Sequence, residues 1–86
     1  MLTDDIQAAI KSNKAVIGFK KCLDAIKNNK PKLIVIADNL PEDMKKEIES
    51  GCRGAAIKLE VFPGSSQNLG VACGKPFPIS TLAIKD

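Results

Sequence analysis

The sequence predicts an α/β domain, a three-layer α/β/α sandwich in which helices and strands alternate around a central mixed sheet. Residues 33–37 form an unbroken, largely β-branched apolar run, typical of a strand covered on both faces. Segments with apolar residues three and four positions apart lie on both sides of this run, as in amphipathic helices. With 86 residues the chain has room for one hydrophobic core, so a single domain is expected over residues 1–86.

The first part of the chain is predicted to alternate helix, strand and helix. Thr3 is expected to cap an opening helix that ends near Asn13, because acidic residues and regularly spaced isoleucines follow it. Residues 15–17 are too short an apolar run for anything but a strand. A second helix is expected to begin at Phe19 and to stop around residues 28–31, where two asparagines and a proline occur.

A third helix and a third strand follow the buried run. Pro41 suits the first position of a helix, since proline lacks the N–H that is unpaired there. Gly51 and Gly54 are expected to interrupt this helix, because glycine destabilises helix interiors by about 1 kcal/mol relative to alanine. Residues 57–61 alternate apolar and polar side chains, which predicts a strand with one face in water.

The last part of the chain is predicted to add a helix and a strand. Ser66 is expected to cap a short fourth helix, and residues 81–84 form the closing strand. The predicted order is therefore α-β-α-β-α-β-α-β.

Composition argues against catalysis and against a bound metal. The chain has no histidine, the commonest general acid or base. Its three cysteines, Cys22, Cys52 and Cys73, match no zinc-binding or Cys-x-x-Cys spacing. We therefore expect no enzyme activity and no cofactor, and interpret the thiols as small buried hydrophobic groups. A cysteine-dependent enzyme or redox protein and a protein-interaction adaptor remain as alternative functions.

Charge indicates a protein that binds polyanions, and hydropathy indicates one that works outside the membrane. Thirteen basic and 10 acidic residues give a net charge of +3, a mild bias towards nucleic acid. No apolar run reaches the ~20 residues of a membrane-spanning helix, and the start of the sequence does not resemble a secretion signal. We expect no membrane association and a reducing compartment, the cytoplasm.

Three loops share one position in the predicted topology, because each precedes a helix and follows another element. The first contains Gly18, Lys20 and Lys21, the second Asn39, and the third residues 62–68. Loops after strand ends gather on one edge of an α/β sheet, where ligands bind. Glycine permits close backbone approach, lysines pair with phosphates, and an amide can recognise a base edge. Each feature alone is also explained by an ordinary turn, so the hypothesis depends on their convergence.

The same loops resemble a known family. The similarity extends over nearly the whole chain, in the motifs Val16-Ile17-Gly18-Phe19-Lys20-Lys21, Lys32-Leu33-Ile34-Val35-Ile36-Ala37-Asp38-Asn39-Leu40-Pro41, Phe62-Pro63-Gly64-Ser65-Ser66-Gln67-Asn68-Leu69-Gly70, Ala72-Cys73-Gly74-Lys75 and Thr81-Leu82-Ala83-Ile84. In this order and spacing they resemble the L-thirty-e family of large-subunit ribosomal proteins of archaea and eukaryotes, within the superfamily of kink-turn RNA binders. The resemblance implies a structural protein that stabilises bent ribosomal RNA.

The resemblance also implies which residues contact the RNA. Carried over by position, they are Gly18, Lys20, Lys21, Asn39, Phe62, Gly64 and Ser65. A position that is basic in some relatives is Met44 here, and Lys45 or Lys46 is expected to substitute for it, Lys45 being the residue chosen. In the third loop, Phe62 and Gly64 would offer apolar surface to an extruded base, a common mode of RNA recognition. The family's paired aromatics in the third helix are replaced here by residues 50–56, which implies looser packing or a shorter helix.

The implied partners are ribosomal RNA and neighbouring ribosomal proteins, with the chain's own messenger RNA as a further candidate. The free protein is expected to be a monomer located on cytoplasmic ribosomes. The alternative within the same superfamily is a non-ribosomal kink-turn binder that serves a small nucleolar or regulatory RNA.

Overall fold

The computed structural model describes residues 2–28 and 31–85, which form eight elements in the predicted alternating order. They are α1 (Leu2–Lys11), β1 (Ala15–Ile17), α2 (Phe19–Asn28), β2 (Leu33–Ala37), α3 (Glu42–Ala55), β3 (Lys58–Phe62), α4 (Ser66–Ala72) and β4 (Thr81–Ile84). The expected stop of the second helix at residues 28–31 lies partly outside the described residues.

The four strands form one mixed sheet in the order β1-β4-β2-β3. β2 pairs in parallel with β3 and antiparallel with β4, and β4 pairs antiparallel with β1. All five residues of β2 are buried, as its sequence predicted, because helices cover both of its faces. In the described residues, no helix is long and apolar enough to cross a membrane.

Alternate side chains of the sheet pack into two separate core layers. One layer joins β2, β3 and β4 to α1 and α4 through Val35, Leu82 and Leu69. The other joins the opposite face to α2 and α3 through Ile34 and Ile48. Burying each of these large aliphatic side chains contributes about 1.5–3 kcal/mol. The predicted three-layer α/β/α sandwich is confirmed.

The expectation that two glycines interrupt the third helix is wrong. α3 continues through Gly51 and Gly54 to Ala55. It ends at Ala56, which adopts a left-handed conformation with φ 56°, while the Ile57 N–H donates to the Cys52 carbonyl at 2.8 Å. This Schellman-type end is satisfied without glycine at its left-handed position.

Three predicted helix starts are displaced by one or two residues. α1 begins at Leu2, so Thr3 lies within the helix instead of capping it. Pro41 is the N-cap of α3 rather than its first helical residue. Ser65 is the N-cap of α4, and Ser66 is already helical. Helix ends are the least certain part of a pattern because neighbouring positions satisfy the same rules.

The third strand lies one residue later than predicted, and it has no single wet face. Lys58 and Glu60 share one face and form an ion pair at 3.3 Å, but Phe62 further along that face is buried. On the opposite face Val61 is 46 % exposed. β3 is an edge strand whose two ends are covered from opposite sides, which removes the simple alternation.

All three cysteines are buried and free, as predicted. Cys22 packs between β1 and α3, with its Sγ 3.6 Å from the Val16 carbonyl oxygen. Burial, with a smaller contribution from Cys52, raises the pKa of Cys22 to about 12. Burial also raises the pKa values of Cys52 and Cys73. Since the thiolate is the nucleophile, these groups are poorly suited to redox or nucleophilic chemistry.

Candidate nucleic-acid interface

The structure brings the three predicted loops together at one edge of the sheet. We define the loop edge as residues 18–21, 38–41, 62–65 and 73–80, the last being the connection from α4 to β4. These segments meet because the carboxyl ends of β2 and β3 lie beside the start of the antiparallel strand β4.

Backbone hydrogen bonds fix the loops to one another. The Gly18 N–H donates to the Thr81 carbonyl at 3.1 Å, and the Ala37 N–H donates to the Ser80 carbonyl at 2.9 Å. The Asp38 N–H donates to the Gly64 carbonyl at 3.0 Å. A surface held by main-chain bonds presents its side chains in a defined arrangement, which suits recognition of a shaped ligand.

Gly18 is required by its backbone conformation and borders open space. Its φ is +118°, a value that residues with a side chain rarely adopt, and nothing lies within 4 Å of the position where a Cβ would stand. A ligand backbone therefore has room to approach the chain here.

Lys20 and Lys21 are exposed in the first turn of α2, next to this glycine. The first turn of α2 contains no acidic residue, so the positive end of the helix dipole reinforces the two ammonium charges. This corner of the loop edge is suited to phosphates.

Asn39 connects the second loop to the third. Its Oδ1 accepts a hydrogen bond from the Ser66 N–H at 2.9 Å. Because a backbone N–H can only donate, the bonded atom must be the amide oxygen, and the Nδ2 group remains as a donor. The Ser66 N–H at the start of α4 is therefore occupied by Asn39 and is not free to bind a ligand.

Gly64 and Phe62 form the packed base of the third loop. A Cβ on Gly64 would lie 3.0 Å from the Asn68 side chain and 3.1 Å from the Phe62 ring. Phe62 itself is only 8 % exposed and belongs to the α1/α4 core layer. An extruded base would therefore meet only the small exposed part of the Phe62 ring, and this contact stays a prediction.

The remaining two predicted residues are Ser65, which lies in the loop edge, and Lys45, which lies beside it in α3. Ser65 is the half-buried N-cap of α4, although its side chain makes no capping hydrogen bond. Lys45 is half-buried in the first turns of α3, and its N–H donates to the Pro41 carbonyl at 2.9 Å. The acidic residues Glu42 and Asp43 precede Lys45, so positive charge on the loop edge is concentrated beside Gly18 instead.

Phe77 was not among the residues predicted from the sequence, yet it is an exposed aromatic residue of the fourth loop, residues 73–80. Phe77 is 48 % exposed and lies in a shallow groove with Val71, Lys75 and the flanking prolines. Exposed aromatic rings are platforms for unpaired bases. Its position between Pro76 and Pro78, in a chain with only three aromatic residues, was the available signal that it lies outside the core.

No group of histidine, cysteine or acidic side chains within residues 2–28 and 31–85 is arranged to hold a metal ion. The chemistry offered by the loop edge is thus that of ammonium groups, an amide, backbone and an aromatic ring.

Comparison with known proteins gives relatives over most of the chain. Large ribosomal subunit protein eL30 of Methanothermobacter thermautotrophicus is 37 % identical over 81 residues, covering 94 % of this chain and 83 % of the relative. The eL30 proteins of Zea mays and Branchiostoma belcheri are 38 % and 42 % identical, covering 99 % and 94 % of this chain and 76 % and 71 % of theirs.

Solved structures share the fold at lower identity. A Bacillus halodurans protein of unknown function superposes with a TM-score of 0.89 at 23 % identity, covering 98 % of this chain and 83 % of its own. The Giardia lamblia 15.5kD RNA binding protein gives 0.88 at 20 % identity, covering 99 % and 71 %. The family model described as "Ribosomal protein L7Ae/L30e/S12e/Gadd45 family" matches residues 2–86. The chain belongs to the ribosomal protein L7Ae/L30e/S12e/Gadd45 family.

Proposed function

We propose that this protein is a structural component of the large ribosomal subunit that binds and stabilises sharply bent, kink-turn-type ribosomal RNA through its loop edge. The observation that carries the proposal is the convergence of Gly18, two exposed lysines and Asn39 on one edge whose loops are joined by main-chain hydrogen bonds.

In this proposal, three parts of the loop edge make different contacts with the RNA. Lys20 and Lys21 neutralise phosphates while the open space beside Gly18 lets the RNA backbone come close. Asn39 donates from Nδ2 to a base beside the kink, and its other amide atom holds the third loop in place. Phe77 joins Phe62 in offering apolar surface to a base extruded by the bend.

Lys45, Gly64 and Ser65 complete the proposed interface. Gly64 lets the third loop pack closely against Asn68 and Phe62, because a side chain there would contact both residues. The loop then does not block the approach of RNA. Ser65 offers a hydroxyl that no capping bond occupies, and Lys45 supplies a charge near the second loop.

The relatives favour a ribosomal role over the non-ribosomal alternative, because the similar proteins described above are named as large-subunit proteins. On this proposal the protein acts without catalysis or a cofactor. It lies on cytoplasmic ribosomes among neighbouring ribosomal proteins and is a monomer when free. Binding to its own messenger RNA would follow if that RNA contains a similar bend.

The proposal is tested by binding to a kink-turn RNA and to an unbent duplex of equal length, each at several salt concentrations. The double substitution Lys20→Ala/Lys21→Ala should weaken kink-turn binding and reduce the salt slope by about two units, since each lost phosphate contact removes about 0.9. The matched variant Lys11→Ala/Lys27→Ala removes two exposed lysines elsewhere and should leave the slope nearly unchanged.

A wild-type protein that binds both RNAs equally would contradict the kink-turn proposal. An unchanged slope in Lys20→Ala/Lys21→Ala would place the phosphate contacts outside the first loop. Sedimentation adds a test of the ribosomal role, because the protein should travel with large subunits and leave them at high salt.

A further inference from the structure

A cleft with three lysines lies at the edge of the sheet opposite the loop edge. Its volume is about 200 Å³, and it runs between α1 and the ends of three strands. We define the lysine cleft by Lys14, Lys32 and Lys85, together with Asp5, Ser12 and Leu33 in its wall. None of these residues belongs to the interface proposed above.

The strand order brings the three lysines together from distant parts of the sequence. Lys14 precedes β1, Lys32 precedes β2 and Lys85 follows β4. Since β4 lies between β1 and β2 and runs antiparallel to both, these three ends are neighbours at one edge. Adjacent strands are about 4.8 Å apart, so the three side chains start from backbone positions within roughly 10 Å.

Main-chain hydrogen bonds hold the lysine backbones in this arrangement. The Lys85 N–H donates to the Lys14 carbonyl at 2.8 Å, and the Lys32 N–H donates to the Ile84 carbonyl at 2.8 Å. The Lys14 N–H donates to the Ala9 carbonyl at the end of α1, also at 2.8 Å. The cluster is thus part of the folded framework and is not a group on a mobile tail.

The charge of the cleft is poorly compensated within the described residues. Its wall contains three ammonium groups and one carboxylate, that of Asp5, which leaves a net charge of +2. Among residues 2–28 and 31–85, none of the three lysines makes an ion pair, whereas Lys58 on the same edge pairs with Glu60 at 3.3 Å. The Ser12 hydroxyl carries no charge and donates its hydrogen bond to the Ala8 carbonyl at 2.7 Å.

We propose that the lysine cleft binds the backbone phosphates of a second RNA segment, so that the protein joins two RNA segments across the sheet. An exposed set of converging ammonium groups favours phosphates without selecting a base sequence. Lys32 and the loop edge are separated by the five residues of β2, about 16 Å of extended chain. One face can therefore contact bent RNA while the other contacts a neighbouring helix.

The experiment measures binding of a fluorescent, unbent RNA duplex to protein already saturated with unlabelled kink-turn RNA. Wild-type protein should bind the duplex, with affinity falling about 40-fold between 50 and 200 mM salt if three phosphates are contacted. The variant Lys14→Gln/Lys32→Gln/Lys85→Gln should bind it at least about tenfold more weakly at 50 mM and with little salt dependence. Its affinity for the kink-turn RNA should change by less than about twofold.

The matched control is Lys11→Gln/Lys46→Gln/Arg53→Gln, which removes the same charge from exposed positions outside the cleft. Equal loss of duplex binding in both variants would overturn the proposal, because net charge alone would then explain it. Charge-dependent binding of poly-glutamate in place of the duplex would also overturn it, by making an acidic protein segment the occupant.

The same duplex assay is repeated on protein without kink-turn RNA. If wild-type protein fails to bind the kink-turn RNA, the proposed function fails, while a cleft-dependent duplex signal still supports the second RNA site.

Discussion

Gly70 of α4 and the two glycines of α3 occupy opposite kinds of environment. At Gly70, which supports the fourth loop, a Cβ would overlap the Phe77 carbonyl oxygen and would lie 3.3 Å from the Pro78 Cα. At Gly54, near the end of α3, nothing lies within 4 Å of a Cβ, and at Gly51 the nearest atoms are Ile26 methyl carbons at 3.5 Å.

The difference separates a glycine that the structure requires from one that it only tolerates. At Gly70 the absence of a side chain permits two backbone segments to touch, and the fourth loop depends on that contact. In α3 the glycines add backbone entropy to the unfolded state without enabling any contact in the folded one. The sequence alone does not distinguish a required glycine from a tolerated one.

The sharpest test of this comparison is Gly70→Ala. The new Cβ meets main-chain atoms of Phe77 and Pro78, which cannot rotate away, so the free energy of unfolding should fall by about 3 kcal/mol. Displacing the fourth loop should also weaken kink-turn binding. Urea denaturation measures the first effect and RNA titration the second.

Val71→Ala is the control, because this neighbouring side chain in α4 is 76 % exposed. Its stability should change by no more than about 0.5 kcal/mol. A Gly70→Ala protein as stable as Val71→Ala would show that the close approach is not required.

Substituting Asn39 tests whether this side chain recognises a base or only stabilises the loop edge. Asn39→Ala should lower affinity for kink-turn RNA by about 2 kcal/mol, the scale of one good base contact, and barely affect an unbent duplex. Losing the bond to the Ser66 N–H should reduce the free energy of unfolding by about 1 kcal/mol.

Asn39→Asp separates the two roles of the side chain. The carboxylate still accepts from the Ser66 N–H, so stability should be retained, but the Nδ2 donor is lost. If Asn39→Asp weakens binding to bent and unbent RNA equally, only charge repulsion is being measured, and base recognition by Asn39 is excluded.

Replacing a glycine of α3 should raise the free energy of unfolding modestly. Gly54→Ala should raise the free energy of unfolding by about 1 kcal/mol without changing RNA binding, because the helix interior has room for the methyl group. Ala56→Gly should stabilise by a similar amount, since Ala56 has φ 56° at the helix end. Thermal melts of the single and double variants check both, and a loss of stability in Gly54→Ala would contradict the open environment.

The smallest effect at neutral pH is expected at Cys22, in the core layer formed with α2 and α3. Its pKa is raised from 9.0 to about 12, so the folded state keeps the proton where the unfolded chain loses it. The free energy of unfolding is therefore unaffected by this thiol below pH 9, and it decreases as the pH rises from 9 towards 12. Alkylation at neutral pH should spare Cys22 until denaturant is added, and rapid labelling of folded protein would contradict its burial.

The element order and the loop edge could be predicted because strong local patterns specify them. The run at residues 33–37 has no plausible alternative to a buried strand, and strand order then brings the loops together. The end of α3 could not be predicted, because packing of Ile48 and Cys52 against α2 overrides the low helix propensity of two glycines.

The side-chain roles at the site were harder to predict than the site itself. Phe62 and Phe77 both follow or sit within turn-rich segments, and only the path of the chain decides which ring is buried. The Asn39 bond to Ser66 joins residues 27 positions apart, a contact that no local pattern reports.

The position of β4 in the sheet has a consequence for how the protein is made. β4 is the last of the four strands to leave the ribosome, yet it lies between β1 and β2 and pairs with both. Until it is synthesised, β1 has no neighbour in the sheet and the carbonyls of Ser80 and Thr81 are not available to the first two loops. The sheet and the loop edge can therefore be completed only after β4 has been synthesised.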